Sequence, residues 1–393
     1  MRILFIHNRY KYAGGEDFAV ESQEALFLEK GDEVKILQFD NSEISNGSAL
    51  MAGVNSVYNA PSKNLVDEVI TSFKPDVIHI HNLFFLASPS VLYAAYRRKV
   101  PVVFTLHNYR LICCNALLLR DLAVCELCTK QTLPFSGIKY KCYRSSHAQS
   151  ALVTAITGLH KMTGTWRNKV HTYIALTEFA KAKFLDSSLR VSEEQMVVLP
   201  NFVSDQGIGN PDRESFFLFV GRISPEKGVS QLLECFAQMP QHRIVIAGDG
   251  PDKIELEKQY SQYSNISFYG HQSKPEIFGL LKKTQALIFP SIWYEGLPFT
   301  IIEAFSTGTP VIAPKLGAMA DIIMNEYNGF HFKAGDVQDL RNTVLKFAQL
   351  EHEKQGFYSR ARKSYEDKYH PDAYYKSIKS IYTNAIGKKA ELA

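Results

Sequence analysis

Short apolar runs ending in glycine or histidine turns alternate with helix-length segments along the whole chain, and this alternation most limits what the sequence can fold into. Phe216-Phe-Leu-Phe-Val220 is apolar at every position, the mark of a strand buried on both faces. The same reading places strands near 2–7, 33–39, 76–81, 101–106, 172–176 and 196–199, then 216–220, 243–247, 266–269, 286–289 and 310–313. Helices are predicted over 17–30, 62–73, 88–98, 147–168 and 178–186. Strand and helix in regular alternation imply an α/β protein with parallel, doubly wound sheets covered by helices on both sides. A chain of 393 residues is too long for one ordinary core, so two domains are expected. The polar stretch 201–215, with Gly207, Gly209, Asn210 and Pro211, reads as the linker. The boundaries are therefore 1–200, a linker 201–215, 216–370, and a helical tail 371–393.

Chemistry concentrates in the second half. The run Phe216–Val220 leads into Gly221-Arg222-Ile-Ser-Pro-Glu-Lys227-Gly228, which places two cations at the carboxyl end of a strand, where open α/β sheets bind ligands. A planar guanidinium and a point-charge ammonium together suit a diphosphate. Arg243-Ile-Val-Ile-Ala-Gly248-Asp-Gly250 repeats the strand and glycine turn. Glu295-Gly296-Leu297-Pro298-Phe299-Thr-Ile-Ile-Glu303 then follows a strand and opens a helix whose first N–H groups face an anion. With 3.6 residues per turn, Glu303 lies about two turns below Gly296, so the two carboxylates can address vicinal hydroxyls on different parts of one elongated ligand. Taken singly, a capped surface helix or a solvated Gly-Arg turn explains each motif as well; their succession favours a sugar-nucleotide site. No Gly-x-Gly-x-x-Gly follows a strand in either half, which weakens a dinucleotide oxidoreductase.

In order and spacing, Phe219-Val-Gly-Arg222-Ile-Ser-Pro-Glu-Lys227-Gly228, Ala247-Gly-Asp-Gly250-Pro251, Glu295 to Glu303 and Gly308-Thr-Pro-Val311 resemble the donor half of retaining GT-B glycosyltransferases of family 4. Met1-Arg-Ile-Leu-Phe-Ile-His7 with Gly14-Gly15, Pro75-Asp-Val-Ile-His79-Ile-His81, and Thr105-Leu-His107-Asn108 carry a looser likeness in the first half. The resemblance implies a GT-B fold, two Rossmann-like domains facing a central cleft, with the first binding the acceptor and the last helix crossing back to it. It implies transfer of a sugar from a nucleoside diphosphate sugar, UDP or GDP in type, to a hydroxyl with retention and without a catalytic metal. Carried over by position, His107 contacts the donor sugar or diphosphate, and Gly14, Gly15, Gly250, Gly296, Leu297, Pro298 and Phe299 border the donor. Arg222 and Lys227 stabilise the leaving diphosphate, Glu295 holds the transferred sugar and Glu303 the ribose. Many relatives have Asp after the histidine where this chain has Asn108, which puts any base role for that residue in doubt. For His79 and His81 packed, hydrogen-bonded rings are the simpler reading, and Glu16 and Asp17 suit the cap of the following helix.

Two features bear on the acceptor. Cys113, Cys125, Cys128 and Cys142, inside an insertion at 110–146, have the spacing of a structural four-thiolate zinc site; reduced, unligated cysteines are the competing reading. Between Arg97 and Lys183 fourteen Lys and Arg face only Asp121, Glu126 and Glu178, a local excess of eleven in a chain of net charge +4. Such a surface suits an anionic membrane and a lipid-linked acceptor, or a solvated basic face around a phosphate cleft; no nucleic-acid-binding motif accompanies it. With neither a signal peptide nor an apolar run near the ~18 residues that span a bilayer, the expected location is the cytoplasm, peripheral on the inner face of the membrane. The leading expectation is a glycosyltransferase of cell-surface polysaccharide assembly acting on a glycan or lipid-linked acceptor. The alternative is a sugar-nucleotide epimerase or hydrolase of the same architecture.

Overall fold

Twelve strands form two six-stranded, all-parallel sheets in a computed structural model that describes residues 1–9, 14–41, 53, 55–350 and 352–391, with side chains to 387. The first sheet contains β1 (Arg2–Arg9), β2 (Glu33–Asp40), β3 (Val77–Ile80), β4 (Val102–Leu106), β5 (Thr172–Ala175) and β6 (Met196–Val198), in the order β2-β1-β3-β4-β5-β6. The second contains β7 (Glu214–Val220), β8 (Arg243–Ala247), β9 (Ile266–Gly270), β10 (Thr284–Ile288), β11 (Val311–Pro314) and β12 (Gly329–Phe332), in the order β9-β8-β7-β10-β11-β12. Each order reverses direction once, between β1 and β3 and between β7 and β10. At such switch points the loops leaving the carboxyl ends of neighbouring strands turn to opposite faces of the sheet and open a crevice.

Strands β3, β4, β10 and β11 are buried end to end, and β1 and β7 over most of their length, because helices cover both sheet faces. In the second unit Phe217 and Phe219 pack with Phe236, Phe330, Phe347 and Phe357, each buried phenyl contributing about 2–3 kcal/mol. The two units separate as 1–118, 125–200 and 374–393 against 119–124 and 201–373. The segment expected to be a linker thus groups with the second unit, and its first residues are not loose. Phe202 and Val203 are buried, and Asp205 accepts two 2.7 Å hydrogen bonds from Arg362. The final helix, Pro371–Glu391, groups with the first unit from Tyr374 onward; residues 392–393 of the predicted tail lie outside the described residues.

Among the elements that differ from the sequence expectation, two are informative. The helix predicted over 147–168 is two helices, His147–Met162 and Thr165–Lys169, because Gly164 takes a left-handed φ of 69° that ends the first. Strand β12 was not predicted, since Gly329-Phe-His-Phe332 is too short and too glycine-bound for periodicity to reveal it.

Candidate functional site

In the second unit the loops leaving β7 and β10 meet at the switch point. Pro225–Lys227 is a single 3₁₀ turn, and its Glu226 carbonyl accepts from the Ile292 N–H at 3.0 Å. Gly228 follows with φ of 69°, and a Cβ there would fall 2.2 Å from the Pro290 carbonyl oxygen, so only glycine lets the two loops close together. This bolting brings Lys227 to Glu295, Nζ to Oε1 at 2.7 Å. The Ser291 hydroxyl donates to the same oxygen at 2.6 Å, leaving Glu295 Oε2 for another donor. Lys227 also lies over the Phe289 and Trp293 rings, 5.6 and 5.5 Å from their centroids. Arg222 is exposed at the start of the loop leaving β7.

Pro298 precedes the helix Phe299–Ser306 as its N-cap, in extended conformation with ψ of 112°. Glu303 projects from this helix with 2% of its side chain exposed and pairs with Lys274, from the helix after β9. Both glutamates singled out in the sequence are therefore buried and matched to a lysine. Lys227 correspondingly offers a ligand less free charge than its sequence position suggests. Gly250 has a packing role: a Cβ there would lie 2.1 Å from the Ile223 carbonyl oxygen, because the 248–250 turn presses on the backbone of the β7 loop. Sequence reasoning missed Lys274, Ser291 and Trp293, whose indole Nε1 is buried without a hydrogen-bond partner. No local motif marks them; they converge from separate loops.

At the switch point of the first unit, four imidazoles line up. His7 on β1, His79 and His81 at the end of β3, and His107 after β4 have ring centroids 6.4 Å apart for His7 and His81, 4.2 Å for His79 and His81, and 5.3 Å for His81 and His107. His79 is tied at both nitrogens, Nδ1 to the Tyr382 hydroxyl and Nε2 to Thr105 Oγ1, each at 2.7 Å. Packing and hydrogen bonding therefore account for it fully. Burial pushes His79 and His107 down to about 3 and His81 well below the ordinary imidazole range.

Gly14 and Gly15 begin the helix Gly15–Glu29, and the Gly14 N–H donates to Asp17 Oδ2 at 2.8 Å. Nothing lies within 4 Å of a Cβ on Gly14, so packing does not demand glycine there. Asp17 caps the helix as the sequence suggested and also holds His7 Nε2 at 2.9 Å. Glu16 does something else: its side chain turns inward toward His7 Nδ1, 3.7 Å from Oε1, and burial pushes its carboxyl well above the usual range. His7 Nδ1, Glu16 Oε1 and His81 Nε2 are all buried without hydrogen-bond partners. Buried polar groups are normally satisfied, so such a cluster points to a functional crevice. Asn8 and Asn82 clamp the edge of this crevice, with Asn82 Nδ2 donating to the Asn8 carbonyl at 2.8 Å and Asn8 Oδ1 accepting from the Ala87 N–H at 3.0 Å.

The cysteine insertion is compact. Cys113 Sγ bonds Asn115 Oδ1 at 2.9 Å. Burial first, and the neighbouring thiols of Cys113 and Cys142 next, push Cys128 up to about 12. Among the described residues, however, no three His, Cys, Asp or Glu side chains are arranged to hold a metal ion. Cys113, Cys125, Cys128 and Cys142 are thus not assembled into the expected four-thiolate set, Cys113 being turned to Asn115. Cys114, outside that set, lies beside Cys128 instead: a Cβ on Gly137 would meet their sulfurs at 3.1 and 3.8 Å.

Comparison with known proteins follows the division of the chain. Residues 203–364 match the family model "Glycosyl transferases group 1", and residues 50–206 match "Glycosyltransferase Family 4". The chain is 32% identical to sulfoquinovosyl transferase SQD2 of Arabidopsis thaliana over 167 residues, 42% of this chain and 30% of that protein. It is 26% identical to the lipopolysaccharide 1,6-galactosyltransferase of Escherichia coli K12 over 246 residues, 58% of this chain and 66% of the relative. The matched stretch thus spans half or less of the first curated relatives. The crystal structure of Anabaena HepE in complex with UDP superposes with a TM-score of 0.69 at 16% identity, covering 98% of this chain and 100% of that one. At that identity the likeness establishes the fold, which is GT-B.

Proposed function

Because the chain belongs to the group 1 glycosyl transferases, we propose that it moves a hexose from a nucleoside diphosphate sugar to a hydroxyl of a glycan or lipid-linked acceptor in cell-surface polysaccharide assembly. The reaction retains the anomeric configuration and uses no catalytic metal. The observation that carries this reading is the Lys227–Glu295–Ser291 cluster at the β7/β10 switch point, with Arg222 exposed beside it. The difficulty of the reaction is negative charge growing on the leaving diphosphate while the sugar becomes cationic. Fixed donors already in place stabilise that charge without reorganising. Lys227 and Arg222 supply them, and the free oxygen of Glu295 accepts from a sugar hydroxyl. Glu303, held by Lys274, accepts from the ribose. Losing one charged donor costs about 2–4 kcal/mol in the transition state.

The UDP complex of HepE and the galactosyltransferase relatives support a UDP-type donor. Among the described residues no helix is long and apolar enough to cross a membrane; the basic first unit supports peripheral contact with an anionic membrane surface on the cytoplasmic side. Zinc on Cys113, Cys125, Cys128 and Cys142 belongs to the same proposal. It is supported by the spacing and by the nearness of three of these thiols, and it requires Cys113 to turn from Asn115; well under one zinc per purified chain removes it.

A thermal-shift screen against UDP, GDP, ADP and their sugars tests the donor, since a ligand that binds only the folded state raises its apparent stability. A UDP-sugar is expected to stabilise the wild type and to stabilise Glu303→Ala much less. Undiminished affinity and turnover in Glu303→Ala would sink the ribose assignment.

A further inference from the structure

We propose that His81 is a positioning residue that fixes the proton of His107 on Nδ1, so that His107 meets its ligand as a hydrogen-bond donor and not as a base. This deepens the reading that places His107 at the donor, and rests on it. The two rings stack at 24° with His81 Nδ1 and His107 Nε2 3.0 Å apart, a hydrogen bond that needs one proton between two nitrogens. Both rings stay neutral through burial, so each has exactly one N–H to place. Two arrangements are possible on paper.

If His107 donates from Nε2, His81 must carry its proton on its own Nε2. That atom is buried and has no hydrogen-bond partner among the described residues. Its surroundings are the His79 ring, 4.2 Å away between centroids and engaged at both nitrogens, the Phe5 ring, edge-on at 5.2 Å, and the His7 ring at 6.4 Å, and no described acceptor lies within hydrogen-bond reach of it. A buried N–H without an acceptor costs more than a bare lone pair against aromatic edges. If His81 instead donates from Nδ1, its Nε2 is only a lone pair and His107 Nε2 accepts. The proton of His107 then sits on Nδ1, the nitrogen not engaged by His81. The balance favours this second arrangement by roughly tenfold or more.

The adjacent dyad follows the same rule. His7 Nε2 donates to Asp17, which leaves Nδ1 a bare lone pair. The chemical consequence concerns the ligand, because the group facing His107 must then be an acceptor, a sugar hydroxyl oxygen or a phosphate oxygen. It also gives His81 a task that its packed position alone does not reveal.

Two-bond ¹H–¹⁵N correlation spectra of histidine-labelled protein test this directly, with signals assigned through His107→Asn and His81→Asn. The wild type should show His107 protonated at Nδ1. His81→Asn, whose side-chain amide lies near the former Nδ1, should keep that tautomer. His81→Leu should release it to the Nε2–H form or a mixture. Should His81→Leu fail to fold, His81→Gln, which carries its amide beyond that position, provides the same contrast. An Nε2–H His107 in the wild type, or a tautomer indifferent to His81→Leu, overturns the proposal.

Affinity provides the second readout, with UDP-glucose and GDP-mannose as probes and whichever stabilises the wild type carried forward. His81→Leu should weaken it about three- to tenfold, one misdirected hydrogen bond, and His81→Asn should restore it. If His107→Leu, which has no donor at the former Nδ1, binds the probe as tightly as the wild type, the ligand half of the proposal falls together with the placement of His107 at the donor. The spectrum still decides the tautomer separately.

Discussion

Replacing Lys227 by Met should destabilise the second unit by about 2–3 kcal/mol through the carboxylate it leaves behind. The Nζ–Oε1 separation is 2.7 Å, and at an effective dielectric near 20 the gross attraction is about 6 kcal/mol. Most of that is offset by the cost of taking both charges out of water, so the pair contributes little net stability. Removing one partner is different, because a buried carboxylate is then uncompensated, at about 3–5 kcal/mol for a fully buried pair. Lys227 keeps 21% of its side chain exposed against 9% for Glu295, and Ser291 still donates to the orphaned oxygen; both facts lower the figure. For a unit of this size the expected fall in melting temperature is about 4–12 °C. Glu295→Gln removes the charge with the shape retained, so the double variant should recover about 1–2 kcal/mol relative to the sum of the single changes. Denaturant unfolding of all four proteins completes the cycle. Coupling below about 0.5 kcal/mol would refute the argument, since the lysine and the glutamate would then be independent in the folded protein.

Stability should also fall as the pH drops below about 6.5. His79 and His107 have folded-state values near 3, below their unfolded value, so their contribution is present above 6.5 and is lost progressively as the pH falls toward 3. His107→Asn should flatten that slope in unfolding measurements at stepped pH, and an unchanged slope would mean the ring is solvated. Gly250→Ala should cost about 1–3 kcal/mol by driving its methyl into the Ile223 carbonyl, seen as a lower midpoint of thermal unfolding with or without nucleotide.

The parallel α/β architecture was legible because doubly covered strands need uninterrupted apolar runs, as in Phe216–Val220, and because strand ends carry their own glycine and histidine turns. The carboxylate pair was legible for a similar reason: Glu295 and Glu303 lie on one strand–loop–helix segment whose local geometry relates them. Their lysine partners were not, since Lys274 and Lys227 reach them across 29 and 68 residues of chain. Gly250 is legible only in part, because a glycine after a strand signals a close approach, and only the structure shows that the Ile223 backbone is one of the groups approaching it. Glu16 was hidden too. Its place in a first helical turn fits a cap, and only the fold turns its carboxyl toward His7.

Sequence alone determined the fold class, the two-domain division and the candidate chemistry at the strand ends, because hydrophobic period, turn residues and short motifs act over a few neighbouring residues. Tertiary structure decided which of those groups are buried and which are paired. Four histidines from three strands form one cluster around His81 only because parallel pairing sets β1, β3 and β4 side by side. Protonation at each nitrogen then follows from burial and from the partner across the ring, quantities that no stretch of sequence contains.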